Sequence, residues 1–120
     1  MQKLPKLSTM RNKCDALLSP LIIKLYPNCL LCGQKTQVAH HHKHKSSSTR
    51  LRYELDNLIN LCNSCHYKLH QNESYWASKI VEIKGLEWFK KLDKMGWEYV
   101  KADVHFYIEQ YERLKKLSTP

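Results

Sequence analysis

The chain has 120 residues, 42% of them hydrophobic, and carries 20 Lys and Arg against 11 Asp and Glu, a formal net charge of +9. This length suits a single domain, 1–120, whose modest core would gain from a staple such as a metal ion. No apolar run reaches the roughly 18–20 residues of a membrane span. The longest candidate, "ALLSPLIIKLY", is broken by Ser19, Pro20 and Lys24. A signal-peptide pattern is also missing, so the expected compartment is the cytoplasm, of a bacterium or a phage-infected host. So basic a balance points to a polyanionic partner, nucleic acid first.

Residues 1–8 are polar and contain Pro5, as a loose arm would. Over 9–25 the positions Met10, Cys14, Leu17, Leu18, Leu21 and Ile22 recur at three and four, a helix stripe that Ser8 or Thr9 could cap and Pro20 could kink or divide. Cys14 reads as a small core residue of that helix. "YPNCLLCG" predicts a turn relaxed by Gly33, "KTQVAHHH" a short extended segment, and "KHKSSSTR" a polar basic loop. "LRYELDNLINLCNSCHYKLH" begins as a turn or strand and becomes a helix near Asn63. A helical extension follows over 72–117. Tyr75, Ile80, Ile83, Leu86, Phe89 and Leu92 form its apolar pattern, interrupted at Gly85 and closed at Gly96, and Asp103 caps a last helix through Ile108, Tyr111 and Leu114.

Four of the five cysteines form two C-x-x-C pairs, Cys29/Cys32 and Cys62/Cys65, separated by 29 residues. In a reducing compartment such pairs read as metal ligands, and four thiolates satisfy tetrahedral zinc. This zinc is structural. It folds two knuckles together and holds whatever lies between them.

Inside and just after that insert stand His40, His41, His42, His44, Asn57, His66 and His70. His66 and His70, four apart on a helix, share a face and can bind one ion together. Phosphodiester cleavage needs an activated water and a cation to offset charge as the leaving oxygen departs. A neutral imidazole can take the water's proton near neutral pH if its other N–H is held by an acceptor.

The order "CLLC", "AHHH", "LDNL" and "LCNSCH" over 27–71 resembles the zinc-knuckle members of the HNH family, the ββα-metal or His-metal-finger endonucleases. The resemblance implies an α+β, mainly α fold, with a ββα-metal core stapled by a four-cysteine zinc site and flanked by N- and C-terminal helices. It implies that Asn57 orients the catalytic base, and that a divalent ion (Mg, Mn, Ni or Zn) sits between a strand-end residue and His66 with His70. Two registers stay open. A sixteen-residue gap to Asn57 makes His41 the base and His40 the ligand; a fifteen-residue gap makes His42 the base and His41 the ligand. A His replaces the family's usual Asp ligand, which favours zinc, nickel or cobalt over magnesium. His44 fits neither register and reads as a loop residue. More narrowly, the "LR-(aromatic)" element at 51–53 ahead of Asn57, the "C--CG" knuckle and the helices after it resemble phage recombination endonucleases of the Rap/NinG type, which act on branched DNA.

Lys43, Lys45, Arg50 and Arg52 crowd the loop beside this site and read as phosphate contacts, which position DNA without reading its sequence. Of Tyr75, Trp76, Trp88, Trp97 and Tyr99, some could stack on bases, but most are expected in the core. The sequence therefore points to a metal-dependent DNA endonuclease, with zinc for folding and a second ion for catalysis, acting on double-stranded or branched DNA with low sequence specificity. The alternative is a non-catalytic zinc-knuckle protein that binds nucleic acid.

Overall fold

A computed structural model describes residues 3–45 and 48–119. The first two positions of the expected arm and Ser46 and Ser47 of the basic loop lie outside them. The elements in chain order are α1 (Leu7–Leu25), β1 (Val38–His41), α2 (Thr49–Arg52), a 3-10 turn (Leu55–Asn57), β2 (Leu58–Leu61), α3 (Asn63–Gln71), α4 (Glu73–Lys84), α5 (Leu86–Gly96) and α6 (Val104–Ser118). The described residues are thus mainly helical, with one small antiparallel pair in which Val38 faces Leu61 and His40 faces Ile59. No helix among them is long and apolar enough to cross a membrane.

Side chains alternate across a strand, so the pair serves two cores. On one face Ala39 and Leu58 pack with Met10, Cys14, Leu18, Leu21 and Ile22 of α1 and Tyr107 and Leu114 of α6. On the other, Val38, Ile59 and Leu61 pack with Cys29, Cys62, Cys65, Leu69 and Ile80. Residues Leu58–Leu61 are buried throughout, as a strand between two cores must be. The Cys14 thiol donates to the Tyr107 carbonyl at 3.2 Å and Lys24 to the Ser118 carbonyl at 3.2 Å, so α6 runs parallel to α1.

Several local expectations are corrected. Pro20 lies inside a continuous α1, and α1 begins at Leu7 behind Lys6, with Ser8 and Thr9 already helical and no side-chain cap. The apolar pattern over 75–92 does not form one buried stripe. Gly85, at φ 101°, ends α4 and restarts the chain as α5, leaving Tyr75, Ile83 and Leu86 exposed while Ile80 and Leu92 are buried. Gly96 is the last residue of α5, and its lack of a side chain serves packing, since a Cβ there would meet Leu51 Cδ1 at 3.3 Å. Asp103 does cap α6, accepting from the Phe106 N–H at 3.0 Å.

Candidate metal centre

The first knuckle is a tight loop closed by the Asn28–Lys35 bridge and by Gly33 N–H to the Cys29 carbonyl at 2.9 Å, with Gly33 at φ 78°. The second is the start of α3, where Cys62 is the N-cap and its sulfur accepts from the Cys65 N–H at 3.4 Å. Leu30 N–H to the Asn60 carbonyl, and Asn60 Nδ2 to the Asn28 carbonyl at 2.6 Å, hold the knuckles together. The four sulfurs of Cys29, Cys32, Cys62 and Cys65 lie within 4.8 Å of one another, and Cys32 and Cys62 stand 3.6 Å apart. Zn–S bonds of about 2.3 Å in a tetrahedron separate sulfurs by roughly 3.8 Å. Burial pushes the Cys65 thiol up, and the thiols of Cys62, Cys32 and Cys29 push it the same way. Burial acts against ionisation of Cys29 as well, yet the backbone N–H groups of Cys62, Cys32 and Leu31 bring it down to about 7. A cluster in which ionising one thiol opposes the next suits a divalent cation, which offsets the shared negative charge. The donor set fits structural zinc.

A second group forms between β1 and α3. His40, His66 and His70 bring ring nitrogens within 4.8 Å of one another, with His66 and His70 Nε2 3.1 Å apart. Strand alternation decides which residue of the run takes part. His40 points toward α3, and its ring centroid lies 5.3 Å from that of His66 and 6.0 Å from that of His70. Burial, then the neighbouring imidazoles, pushes His40 down to about 3, and burial followed by His70 lowers His66. Neutral imidazoles are the form that ligates a metal.

His41 does not join this group, as it would have to if it were the strand-end ligand. It points to the opposite face, where its Nε2 lies 2.9 Å from the Arg52 carbonyl. Its pKa is lowered by burial, with the Arg52 carbonyl working against the shift and the Lys45 and Arg52 charges adding to it. His42 packs against Trp88 at 4.9 Å between centroids, and burial, then Lys43, pushes it down to about 4. His44 pairs with Glu73 at the start of α4.

Asn57 is fully buried and reaches no histidine ring. Its Oδ1 accepts from the Lys43 N–H at 2.8 Å, and its Nδ2 donates to the carbonyls of Lys43 at 3.0 Å and Leu51 at 3.2 Å. His42 N–H donates to the Asn57 carbonyl at 2.9 Å. Asn57 therefore fixes the backbone on both sides of His41: the chain leaving β1, and the end of α2 that supplies the Arg52 carbonyl. The acceptor for the His41 ring is that carbonyl, where the sequence pointed to Asn57.

The basic loop is more engaged than expected. Arg52 is turned inward and grips Asp15 of α1 through Nε at 3.1 Å and Nη2 at 2.6 Å, an ion pair that the expectation of a phosphate contact did not include. Tyr53 adds a 2.8 Å bond to the same carboxylate, which is lowered below the usual carboxylate range: burial opposes that, and the bonds from Arg52 and Tyr53 outweigh it. Arg50 pairs with Glu54 and Glu98, and Lys43 lies 3.6 Å from Asp93 and 4.6 Å from the Phe89 ring centroid. Lys45 is exposed.

Sequence reasoning passed over Asp15 and Asp56, and marked Tyr53 only as the aromatic of the element at 51–53. Asp56 receives the Trp88 indole N–H on its carbonyl at 2.8 Å and Lys91 on its carboxylate at 2.9 Å, which docks α5 beside Asn57. A polar residue on the edge of an apolar helix stripe was the signal available for Asp15. Trp97 and Tyr99, expected mostly in the core with the other aromatics, are instead 84% and 89% exposed.

Three comparisons bear on this arrangement. A mitochondrial DNA mismatch repair protein, a mutS homolog from Sarcophyton glaucum, is 30% identical over 76 residues. That match covers 60% of this chain and spans about 7% of the relative's length. No solved structure matches. The family model described as bacteriophage lambda NinG protein matches residues 24–118, which takes in both knuckles, the histidine run, Asn57 and α3 to α6. The chain belongs to the NinG family.

Proposed function

We propose that the protein is a metal-dependent DNA endonuclease of the HNH type that hydrolyses phosphodiester bonds in branched or junction DNA. The observation that carries this reading is the opposed placement of neighbouring histidines: His40 completes a three-imidazole group with His66 and His70, while His41, the next residue, is held by one ring nitrogen. A divalent ion on His40, His66 and His70 would offset charge on the phosphate and the departing oxygen. With Nε2–H donated to the Arg52 carbonyl, Nδ1 of His41 keeps its lone pair and accepts the proton of the attacking water. Burial keeps that imidazole neutral, which a base at neutral pH requires. Asn57 acts as a positioning residue through Lys43 and Leu51. Arg52, locked on Asp15, holds its own carbonyl in place. Lys45 contacts phosphate, and the net charge of +9 favours DNA generally. Membership in a phage recombination family, and a mismatch-repair protein among the relatives, both agree with a DNA substrate.

The test is cleavage of plasmid, linear duplex and a four-way junction by zinc-loaded protein with added Mg, Mn, Ni or Zn. His41→Ala should lower the rate by roughly 10²–10⁴-fold, the usual share of a general base, while the second ion still binds. His40→Ala should lose the ion as well, and His42→Ala should still cut. No cleavage with any ion, or full cleavage by His41→Ala, would overturn the reading.

A further inference from the structure

Beside the loop that leaves β1 lies a cavity of about 230 Å³. Leu51, Leu92 and Gly96 give it an apolar lining, and Lys43, Ser48 and Asp93 line it with polar groups. Trp97 also lines it and is 84% exposed. We propose that this cavity and the Trp97 indole capture one unpaired nucleobase of a DNA substrate, next to the strand that carries His40 and His41.

Size and chemistry select the occupant. The volume falls below the roughly 300–1,000 Å³ of small-molecule pockets and suits one planar ring system. A paired base stays in its stack and cannot enter, so the cavity selects bases freed at a branch, gap or loop. Every base offers a face to stack on an indole, which gives capture without sequence preference. The Ser48 hydroxyl can donate to or accept from the edge of any base, and the Lys43 ammonium attracts the adjoining phosphate. The geometry is built in advance. Asn57 bonds both backbone groups of Lys43, Gly96 lets α5 approach Leu51, and Arg50 on Glu98 ties down the residue after Trp97. Lys43 lies two residues beyond His41, roughly 7 Å of extended chain. A captured base would therefore set the cut within a few nucleotides of the branch. That last consequence rests on the endonuclease reading; base capture itself does not.

Binding is measured with His41→Ala protein, so that nothing is cut, on a labelled fully paired duplex and on the same duplex carrying a short unpaired loop. Adding Trp97→Ala should weaken the looped DNA roughly tenfold, as expected for loss of one stacked base, and leave the paired duplex unchanged. Trp97→Phe should keep most of the preference. Circular dichroism checks that the variants are folded, as expected for an exposed position. Equal loss on both DNAs, no loss on either, or a change of oligomeric state in place of a change in DNA preference would overturn the proposal. The two readings fail separately. Loop preference that depends on Trp97, together with no cutting by the protein that retains His41, removes the endonuclease and keeps base capture. Junction cutting with affinity and preference indifferent to Trp97 does the reverse.

Discussion

Asn57 offers the sharpest test of how the fold positions the histidine strand. It is fully buried, and its amide makes three bonds: one accepted from Lys43 N–H and two donated to the Lys43 and Leu51 carbonyls. Asn57→Ala removes all three, although the Leu51 carbonyl keeps its bond from the Glu54 N–H at 3.2 Å. At about 0.5–1.5 kcal/mol per bond, the loss of three should be about 2–4 kcal/mol. Asn57→Asp keeps the shape and the bond from Lys43 N–H. Its second oxygen, however, would face two carbonyls with no proton to give, and a carboxylate would be buried without a cation. The isosteric change should therefore cost more than the truncation. The assay is urea unfolding of the zinc-loaded protein at neutral pH, with hydrogen exchange at the Lys43 amide reporting the clamp locally. If Asn57→Asp were as stable as the unmodified chain, or clearly more stable than Asn57→Ala, the clamp would not hold the strand as described.

Two further predictions concern the metal groups and pH. Cys62→Ser should lower the zinc content by one equivalent per chain and loosen the start of α3, since Cys62 both belongs to the thiol cluster and caps that helix; unchanged zinc content would contradict the four-cysteine site. Burial, reinforced by the neighbouring imidazoles, lowers His40 from 6.5 to about 3, so its contribution to stability is complete above pH 6.5 and is lost as pH falls from there toward 3. Between pH 6.5 and 5 this is about 2 kcal/mol, and His40→Gln should remove that part of the slope. Parallel stability curves for the two proteins would show that His40 is not held neutral by the fold.

Local geometry explains why much was legible in the sequence. A C-x-x-C pair makes a knuckle wherever it folds, a four-residue spacing puts His66 and His70 on one helical face, and Asp103 caps the first turn behind it. Those features need only the residues beside them, and the metal groups follow once the two knuckles meet. The NinG resemblance rested on the same short motifs. The one-residue choice within the histidine run was different in kind. It depends on which face of β1 meets α3, and only the pairing of His40 with Ile59 settles that face.

Other features lay beyond sequence reasoning because their partners are distant in the chain or belong to the backbone. Arg52 in a basic loop looks like a phosphate contact, and its ion pair with Asp15 of α1 joins residues 37 apart in the chain. The acceptor for the His41 ring is a main-chain carbonyl, which every residue has and no side-chain pattern marks. Nothing in the spacing of Trp97 separates a core aromatic from one free to stack on a base, and in the fold it is 84% exposed. The sequence by itself marked which cysteines and histidines could hold a metal ion. Tertiary structure decided which of them point together, because strand alternation, helix docking and long-range ion pairs are set by contacts that no local spacing encodes.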